Sequence, residues 1–421
     1  MRRKEKSSDA DAASNAADCS IKVDEILRIS GQQRNDHVYE IDLHGKRIRR
    51  ISDLESFSRL RSLDLSCNKI RKIENLTKST GLKELKLYSN EIRTIEGLDR
   101  LRDLCCLMLQ YNRIASIGAG LKHLTRLQLL RLDFNCLTSV AREEIVSLSQ
   151  LTYLDLSSNQ ISKVEGLSAL TNLEELDLGD NQLVAVPDIV QCKKLQEIDL
   201  SGNHLKSLPD LSSLPRLRTL RLERLSLSSV ASLGHLRSLE NFYLANNEIE
   251  DATALSSQCP LLELLDMKFN QLKTTESLAK FPRLTDFYVE GNPLAQEPNY
   301  RADIARAVPS VELIDGVQVN LTKKAENMPP PVMRPMTATT VISTKQIESQ
   351  ISALDLQMEL CGSSLDAKLD VFAASLSSLS TIPEPESEAQ ATSRPSTRSS
   401  SRARIMEAKA FANRHFQKDK T

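Results

Sequence analysis

One eleven-residue spelling recurs through most of this chain. The pattern L-x-x-L-x-L-x-x-N-x-L/I begins at Leu60, Leu82, Leu104, Leu127, Leu151, Leu173, Leu195, Leu217, Leu239, Leu262 and Leu284, and a degenerate copy, "VYEIDLHGKRI", begins at Val38. Successive starts lie 22 residues apart, with occasional spacings of 23 and one of 24. A fixed period of this size is the mark of a stacked-repeat architecture, in which each unit is one supersecondary element. The chemistry of the spelling fits that reading. In "LRSLDLSCNKI", Leu63 and Leu65 alternate with Ser62, Asp64 and Ser66, so a short strand buries one face and exposes the other. Asn68 follows where the chain must turn, and its amide can both donate and accept hydrogen bonds to backbone groups. Ile70, Ile73 and Leu76 then return the outer arc to the same core. No unit can bury its apolar face alone, but stacked units share a continuous one.

Ten asparagines keep the template: Asn68, Asn90, Asn112, Asn135, Asn159, Asn181, Asn203, Asn247, Asn270 and Asn292. The chain reads as a leucine-rich-repeat protein of the α/β solenoid class. The expectation is a right-handed horseshoe with a parallel concave sheet, a convex side of short turns and 3₁₀ pieces, and a helical C-terminal cap. Twelve strands about 4.8 Å apart give a concave wall on the order of 55 Å long. Twelve repeats occupy 38–290, and both ends of such an array need a lid. Residues 21–37 supply an amphipathic N-terminal cap, and 291–317 a C-terminal cap in which Tyr300, Ile304 and Val308 step by four. Residues 1–20 read as disordered.

The units "IRKIENL", "IRTIEGL" and "ISKVEGL", together with the ending "GNPLAQEPNYRADIARAVPSVELIDGV", carry a family resemblance. The chain resembles the intracellular repeat proteins that include the leucine-rich regulatory subunit of protein phosphatase type one and related ciliary, basal-body and centrosomal proteins. The resemblance covers about residues 38–317. In the phosphatase subunit, acidic and aromatic side chains at the fifth position of successive repeats grip the catalytic subunit. Here those positions, from the fourth repeat onward, are Met108, Arg131, Asp155, Asp177, Asp199, Arg221, Tyr243, Asp266 and Tyr288. Asp155 and Tyr288 keep the expected type, Arg131 reverses it, Asp266 replaces a tryptophan and Leu264 replaces an acid.

The spacing alone predicts which side chains line the concave face. Repeats three to five place Tyr88, Met108, Leu129 and Arg131 there, an expected exposed and partly apolar patch. Repeats six to eight place Tyr153, Asp155, Glu175, Asp177, Glu197 and Asp199, whose five carboxylates have no cation among them. Arg221, Tyr243, Asp266 and Tyr288 continue the face. The acidic patch reads either as solvated surface charge or as a docking surface for a basic protein partner, with the second weighted slightly higher. A calcium site is disfavoured, because strand carboxylates have no loop to wrap the ion.

Catalytic chemistry finds no foothold in the sequence. The six histidines are isolated, "IGAG" at 117–120 lacks the lysine of a phosphate loop, and no nucleophile constellation appears. A non-enzyme with no cofactor and no metal is expected. The 55 basic and 56 acidic residues nearly cancel, so no global field points to nucleic acid. Eight scattered cysteines imply a reducing compartment, and neither a signal peptide nor a membrane span is expected. Location is expected in the cytoplasm, with cilium, basal body, cytoskeleton and nucleus as candidate sites.

Beyond the cap, a proline-rich linker occupies 318–343 and an amphipathic, coiled-coil-like helix 344–380. That helix either self-associates or packs on the solenoid. A serine-rich basic tail, 381–421, ends in "RIMEAKAFANRHFQK", which could form a short terminal helix. The expected partners are proteins, with a type-one phosphatase catalytic subunit and axonemal or centriolar proteins as the two candidates. One position interrupts the series: Leu225 stands where the template has asparagine. It marks either a degenerate unit tolerated by its neighbours, the favoured reading, or a bend in the wall.

Overall fold

The computed structural model describes residues 23–319, apart from 276, 277, 279 and 280. The disordered N-terminus, most of the proline-rich linker, the 344–380 helix and the basic tail of the sequence reading lie outside the described residues. Twelve three-residue strands run from Glu40–Asp42 through Ser62–Asp64, Glu84–Lys86, Cys106–Met108, Leu129–Arg131, Tyr153–Asp155, Glu175–Asp177, Glu197–Asp199, Thr219–Arg221, Asn241–Tyr243 and Leu264–Asp266 to Asp286–Tyr288. We number them β1 to β12. Each pairs in parallel with the next in the sheet, so template positions stand side by side on successive rungs. The result is a solenoid with a parallel sheet on one side and short helical or 3₁₀ pieces on the other. The outer arcs include 3₁₀ turns at Leu167–Ala169, Pro187–Gln191 and Ala231–Leu233 and the short helices Arg142–Ile145 and Thr253–Gln258. Arcs of about a dozen residues leave no room for longer helices.

The core is one column of aliphatic side chains. The middle residue of each strand, such as Leu63, Leu107 or Leu154, is buried, and Ile70, Ile73 and Leu76 close the same layer from the convex side. The asparagines form a second column beside it. Asn68 Nδ2 donates to the carbonyls of Leu43, Leu65 and Ser66, and its Oδ1 accepts from the Ile48 amide at 2.9 Å. Asn90, Asn112, Asn135, Asn181, Asn203 and Asn270 repeat the scheme one rung further on each time. The residue before each of these takes a left-handed turn, even where it is Cys67, Tyr111 or Phe134. That conformation disfavours side chains with a Cβ. It is sustained by backbone bonds to the next rung, such as Cys67 N–H to Tyr88 O at 2.9 Å.

Leu225 does not bend the wall. β8, β9 and β10 stay in unbroken register, Asp199 beside Arg221 and Arg221 beside Tyr243. Leu225 is itself buried at 6% exposure and joins the core. Asn247 serves Leu222 O, the carbonyl an asparagine at 225 would share, at 2.8 Å, and accepts the Leu225 amide at 3.1 Å besides the regular Leu227 amide at 3.0 Å. The turn also takes two left-handed residues, Arg224 and Ser226, where a regular unit has one.

Both ends of the described stack are covered. Helix Val23–Ser30 buries Ile26 against the first rung. At the other end, helix Tyr300–Ala307 buries Ile304, and Val308, Val311 and Ile314 continue the layer. Tyr300 packs against the same layer from its edge. It is half-buried, and its hydroxyl donates to Asp315 Oδ2 at 2.9 Å. Asp315 Oδ1 in turn accepts the Val289 and Glu290 amides, so it pairs edge donors that no thirteenth repeat is there to take.

Candidate protein-contact face

The sheet face is built from three outward positions per rung, two flanking the buried strand centre and one entering the turn. Registered stacking brings the fifth-position residues into one column, from Asp42 and Asp64 to Asp266 and Tyr288. Several of these aspartates have a local task that the sequence reading missed. Asp42, Asp64, Asp155, Asp177, Asp199 and Asp266 each accept the backbone amide two residues on, at 2.9–3.1 Å. One carboxylate oxygen thus starts the turn. The signal that could have revealed it is the recurrent D-x-S/G/K/H spelling just before the turn.

The apolar patch expected at repeats three to five is not open. Tyr88 and Met108 are each only 8% exposed and pack with Cys67, Cys106 and Leu129 into a small cluster. Rungs about 4.8 Å apart let long neighbouring side chains cover one another. Burial pushes the Tyr88 hydroxyl and the Cys106 thiol each up to about 12. These side chains therefore read as packing on the sheet face. Beyond them, Tyr111 and Phe134 stack with ring centroids 4.4 Å apart.

Arg131 lies at the centre of the face with only 12% of its side chain exposed. Its guanidinium forks onto Asp133, through Nε at 3.0 Å and Nη2 at 2.9 Å, and also reaches Asp155 Oδ2 at 3.3 Å on the next rung. Tyr153 Oη and Ser157 Oγ donate to the same Asp155. One cation serves two carboxylates, so burial and the Asp155 charge hold Asp133 well above the usual carboxylate range.

The acidic patch also differs from its sequence reading. Cations bound it on both sides: Arg131 engages Asp155, and Arg221 Nη1 lies 3.9 Å from Glu197. Between them, Glu175, Asp177 and Asp199 make no ion pair among the described residues. Burial, then Asp155 and Asp199, push Asp177 up to about 7, while burial and Glu197 raise Glu175. Glu175 and Glu197 are exposed, Asp177 and Asp199 half-buried. Past Arg221 the face becomes aromatic and cationic. Arg221 sits 4.9 Å from the Tyr243 ring centroid, and Lys268 sits 4.9 Å from that of Tyr288, which is 8% exposed. Asp266 stands between these two pairs, its amide-capping oxygen turned to Lys268.

No group of three or more His, Cys, Asp or Glu side chains with metal-holding geometry occurs among the described residues. No helix among them is long and apolar enough to cross a membrane. A recess of about 410 Å³ opens on the flank that leads into the strands, lined by Gln196, Arg216, Arg218, Ser238 and Glu240 among others. It lies beside the sheet face; its Ser238 hydroxyl donates to Pro215 O at 2.8 Å and its Glu240 lies 3.8 Å from Arg218, so the two do not pair with each other.

Comparison with known proteins agrees with the repeat. Family signatures described as leucine-rich repeat match residues 40–156 and 171–227, and one described as leucine-rich repeats in two copies matches 149–190. No curated protein matches the sequence. Among solved structures, an internalin (inlF) from Listeria monocytogenes superposes with a TM-score of 0.57 at 20% identity, over 70% of this chain and 94% of that one. The repeat ectodomain of the plant membrane receptor kinase GASSHO1/SCHENGEN3 from Arabidopsis thaliana gives a TM-score of 0.51 at 23% identity, over 64% of this chain and 38% of that one. These likenesses establish the solenoid fold.

Proposed function

Because this is a leucine-rich-repeat protein, we propose that it is a non-catalytic interaction scaffold that takes the basic surface of a protein partner on its sheet face. The observation that carries the reading is the run of Glu175, Asp177 and Asp199 on adjacent rungs, without an ion pair among the described residues and bounded by Arg131 and Arg221. Three carboxylates within about 10 Å repel one another, and a cationic partner relieves that repulsion. Tyr153 and Tyr243 flank the run with partly exposed rings that can pack on such a partner. Assembly of cilium, basal-body or cytoskeletal structures is the setting we favour, on the sequence resemblance of repeats and cap. The competing assignment, a regulatory subunit of a type-one phosphatase, fits the side chains less well. Asp155, one of the two residues of the expected type, already holds Arg131 and Ser157, and the other, Tyr288, lies under Lys268.

Affinity capture of the tagged full chain from ciliated cells, with and without Glu175→Lys and Asp199→Lys, tests the reading. The double variant is expected to fold normally and to lose specific partners. Retention of every partner by a folded double variant overturns the contact face. Recovery of a phosphatase catalytic subunit that the variant loses would keep the face and replace the ciliary setting.

A further inference from the structure

A second charged surface lies off the sheet face, along the flank where the chain leaves β1 to β4. The residue after each template asparagine and the residue two further on fall in register on consecutive rungs. The first column reads Arg47, Lys69, Glu91, Arg113, and the second Arg49, Arg71, Arg93, Ala115. Backbone bonds tie the rungs together, Lys69 N–H to Ile48 O at 2.8 Å, Glu91 to Ile70 at 2.9 Å and Arg113 to Ile92 at 2.8 Å. The spacing along each column is therefore the sheet's own, about 4.8 Å. All six cations are exposed. Arg71 Nε binds Glu91 at 2.8 Å, while Arg47, Arg49, Lys69, Arg93 and Arg113 make no ion pair among the described residues. A recess of about 260 Å³ opens between Arg49, Lys69, Arg71 and Glu91. The run stops abruptly, since the same template positions in the next two repeats hold Cys136 and Thr138, then Gln160 and Ser162.

We infer that this flank is a docking site for an extended acidic segment of a partner protein, separate from the sheet face and independent of what binds there. Its own carboxylates show the mode of contact. Glu91 lies against Arg71 through the guanidinium edge, and Glu74 lies against Arg50 Nε at 2.7 Å. Carboxylates from outside would occupy the remaining guanidinium edges at the same rung spacing. Glu91 interrupts the first column, which disfavours a continuous phosphodiester. No aromatic side chain stands within the columns to stack a base. Nor is any large exposed apolar side chain among them to enter a lipid surface.

The test is fluorescence anisotropy of the full chain with a labelled glutamate-rich peptide, in parallel with an oligothymidylate of equal charge and phosphatidylserine vesicles. The peptide is expected to bind at low ionic strength and to weaken steeply as salt rises. Arg49→Glu, Arg71→Glu and Arg93→Glu together should weaken it at least tenfold, and the milder triple change to Gln should fall between that and the wild type. Glu175→Lys with Asp199→Lys on the sheet face should leave peptide binding on the flank in place. Failure of the wild type to bind the peptide, or equal binding by the folded triple variants, overturns the inference. So does tighter binding of the oligothymidylate or the vesicles than of the peptide.

Discussion

The break in the asparagine column gives a quantitative test of how this solenoid is held together. Asn112, in a regular stretch, contacts four backbone groups: the carbonyls of Leu87, Leu109 and Gln110 at 2.9, 3.0 and 3.3 Å, and the Ile92 amide at 3.0 Å. The first two carbonyls have a second donor, Asn90 for Leu87 and Asn135 for Leu109, each at 3.0 Å. Removing Asn112 therefore orphans chiefly one buried amide. Asn247 has no such backing. It alone among the template asparagines accepts two amides, Leu225 and Leu227, and it donates to Leu222 O at 2.8 Å. In a regular repeat residue 225 would also serve that carbonyl, but here it is leucine. Leu244 O keeps a donor in Asn270 at 2.9 Å.

Each buried group left unpaired costs about 1–3 kcal/mol. Asn112→Ala should then cost about 2 kcal/mol, and Asn247→Ala, which orphans two further groups, roughly 4 kcal/mol more. Urea unfolding of both variants and the wild type, followed by far-ultraviolet circular dichroism with a shared m-value, measures the difference. Hydrogen exchange gives the local readout, with faster exchange expected at the Leu225 and Leu227 amides. Adding Leu225→Asn to Asn247→Ala should recover part of the loss, because the new side chain can donate to Leu222 O and accept from the Leu205 amide. If Asn247→Ala costs no more than Asn112→Ala, the hydrogen-bond account of the column is wrong.

Three further outcomes follow from buried charge and buried thiols. Arg131→Met strands two carboxylates and should cost about 3–5 kcal/mol at pH 8, with a smaller loss at pH 5, where Asp133 takes up a proton; paired denaturation curves at the two pH values check it. Asp177 titrates near 7 when folded against 3.8 otherwise, so its stabilising contribution is complete below about pH 4 and is lost as pH rises through 7. Thermal melting should therefore give a lower Tm at pH 8 than at pH 5.5, by an amount that Asp177→Asn reduces. Iodoacetamide at pH 8 should label exposed Cys136 in the native chain, and reach buried Cys192 and Cys259, whose thiols are pushed up to about 11 and 12, only after denaturation; mass spectrometry of the labelled peptides checks it.

The period, the strand centres and the asparagine turns were legible because each follows from one template position repeated many times. So was the outward set on the sheet, since alternation along a strand fixes sidedness. Exposure was not legible in the same way. Sidedness placed Tyr88 and Met108 outward, but whether they meet solvent depends on the size of the side chains one rung away, and Cys67, Cys106 and Leu129 cover them. The Arg131–Asp155 contact could have been read by aligning adjacent units, because equal template positions become Cα neighbours. Scanning each strand separately hid it. Leu225 shows what a single unit leaves open. The favoured reading, a degenerate unit tolerated by its neighbours, fits the unbroken register, while the way Asn247 serves Leu222 O and takes the Leu225 amide becomes visible only between repeats.

The same stacking rule explains how one neutral chain presents two surfaces of opposite sign. In a globular fold a charge pattern along the sequence scatters in space. Here each template position writes a straight line across the rungs, and the identity of successive units sets the sign along it. The fifth position carries Asp155, Asp177 and Asp199, and the position after the asparagine carries Arg47, Lys69 and Arg113. The two lines occupy different repeats, six to eight against one to four, and lie on different sides of the strand-to-turn corner. Repeats four and six are two rungs apart, about 10 Å at the sheet spacing, against a Debye length of about 8 Å at physiological salt, so each line can hold its own partner without neutralising the other. Charge reversal confined to one line should therefore change binding at that line alone. If both interactions weakened together in a folded variant, the two surfaces would have to be one composite site.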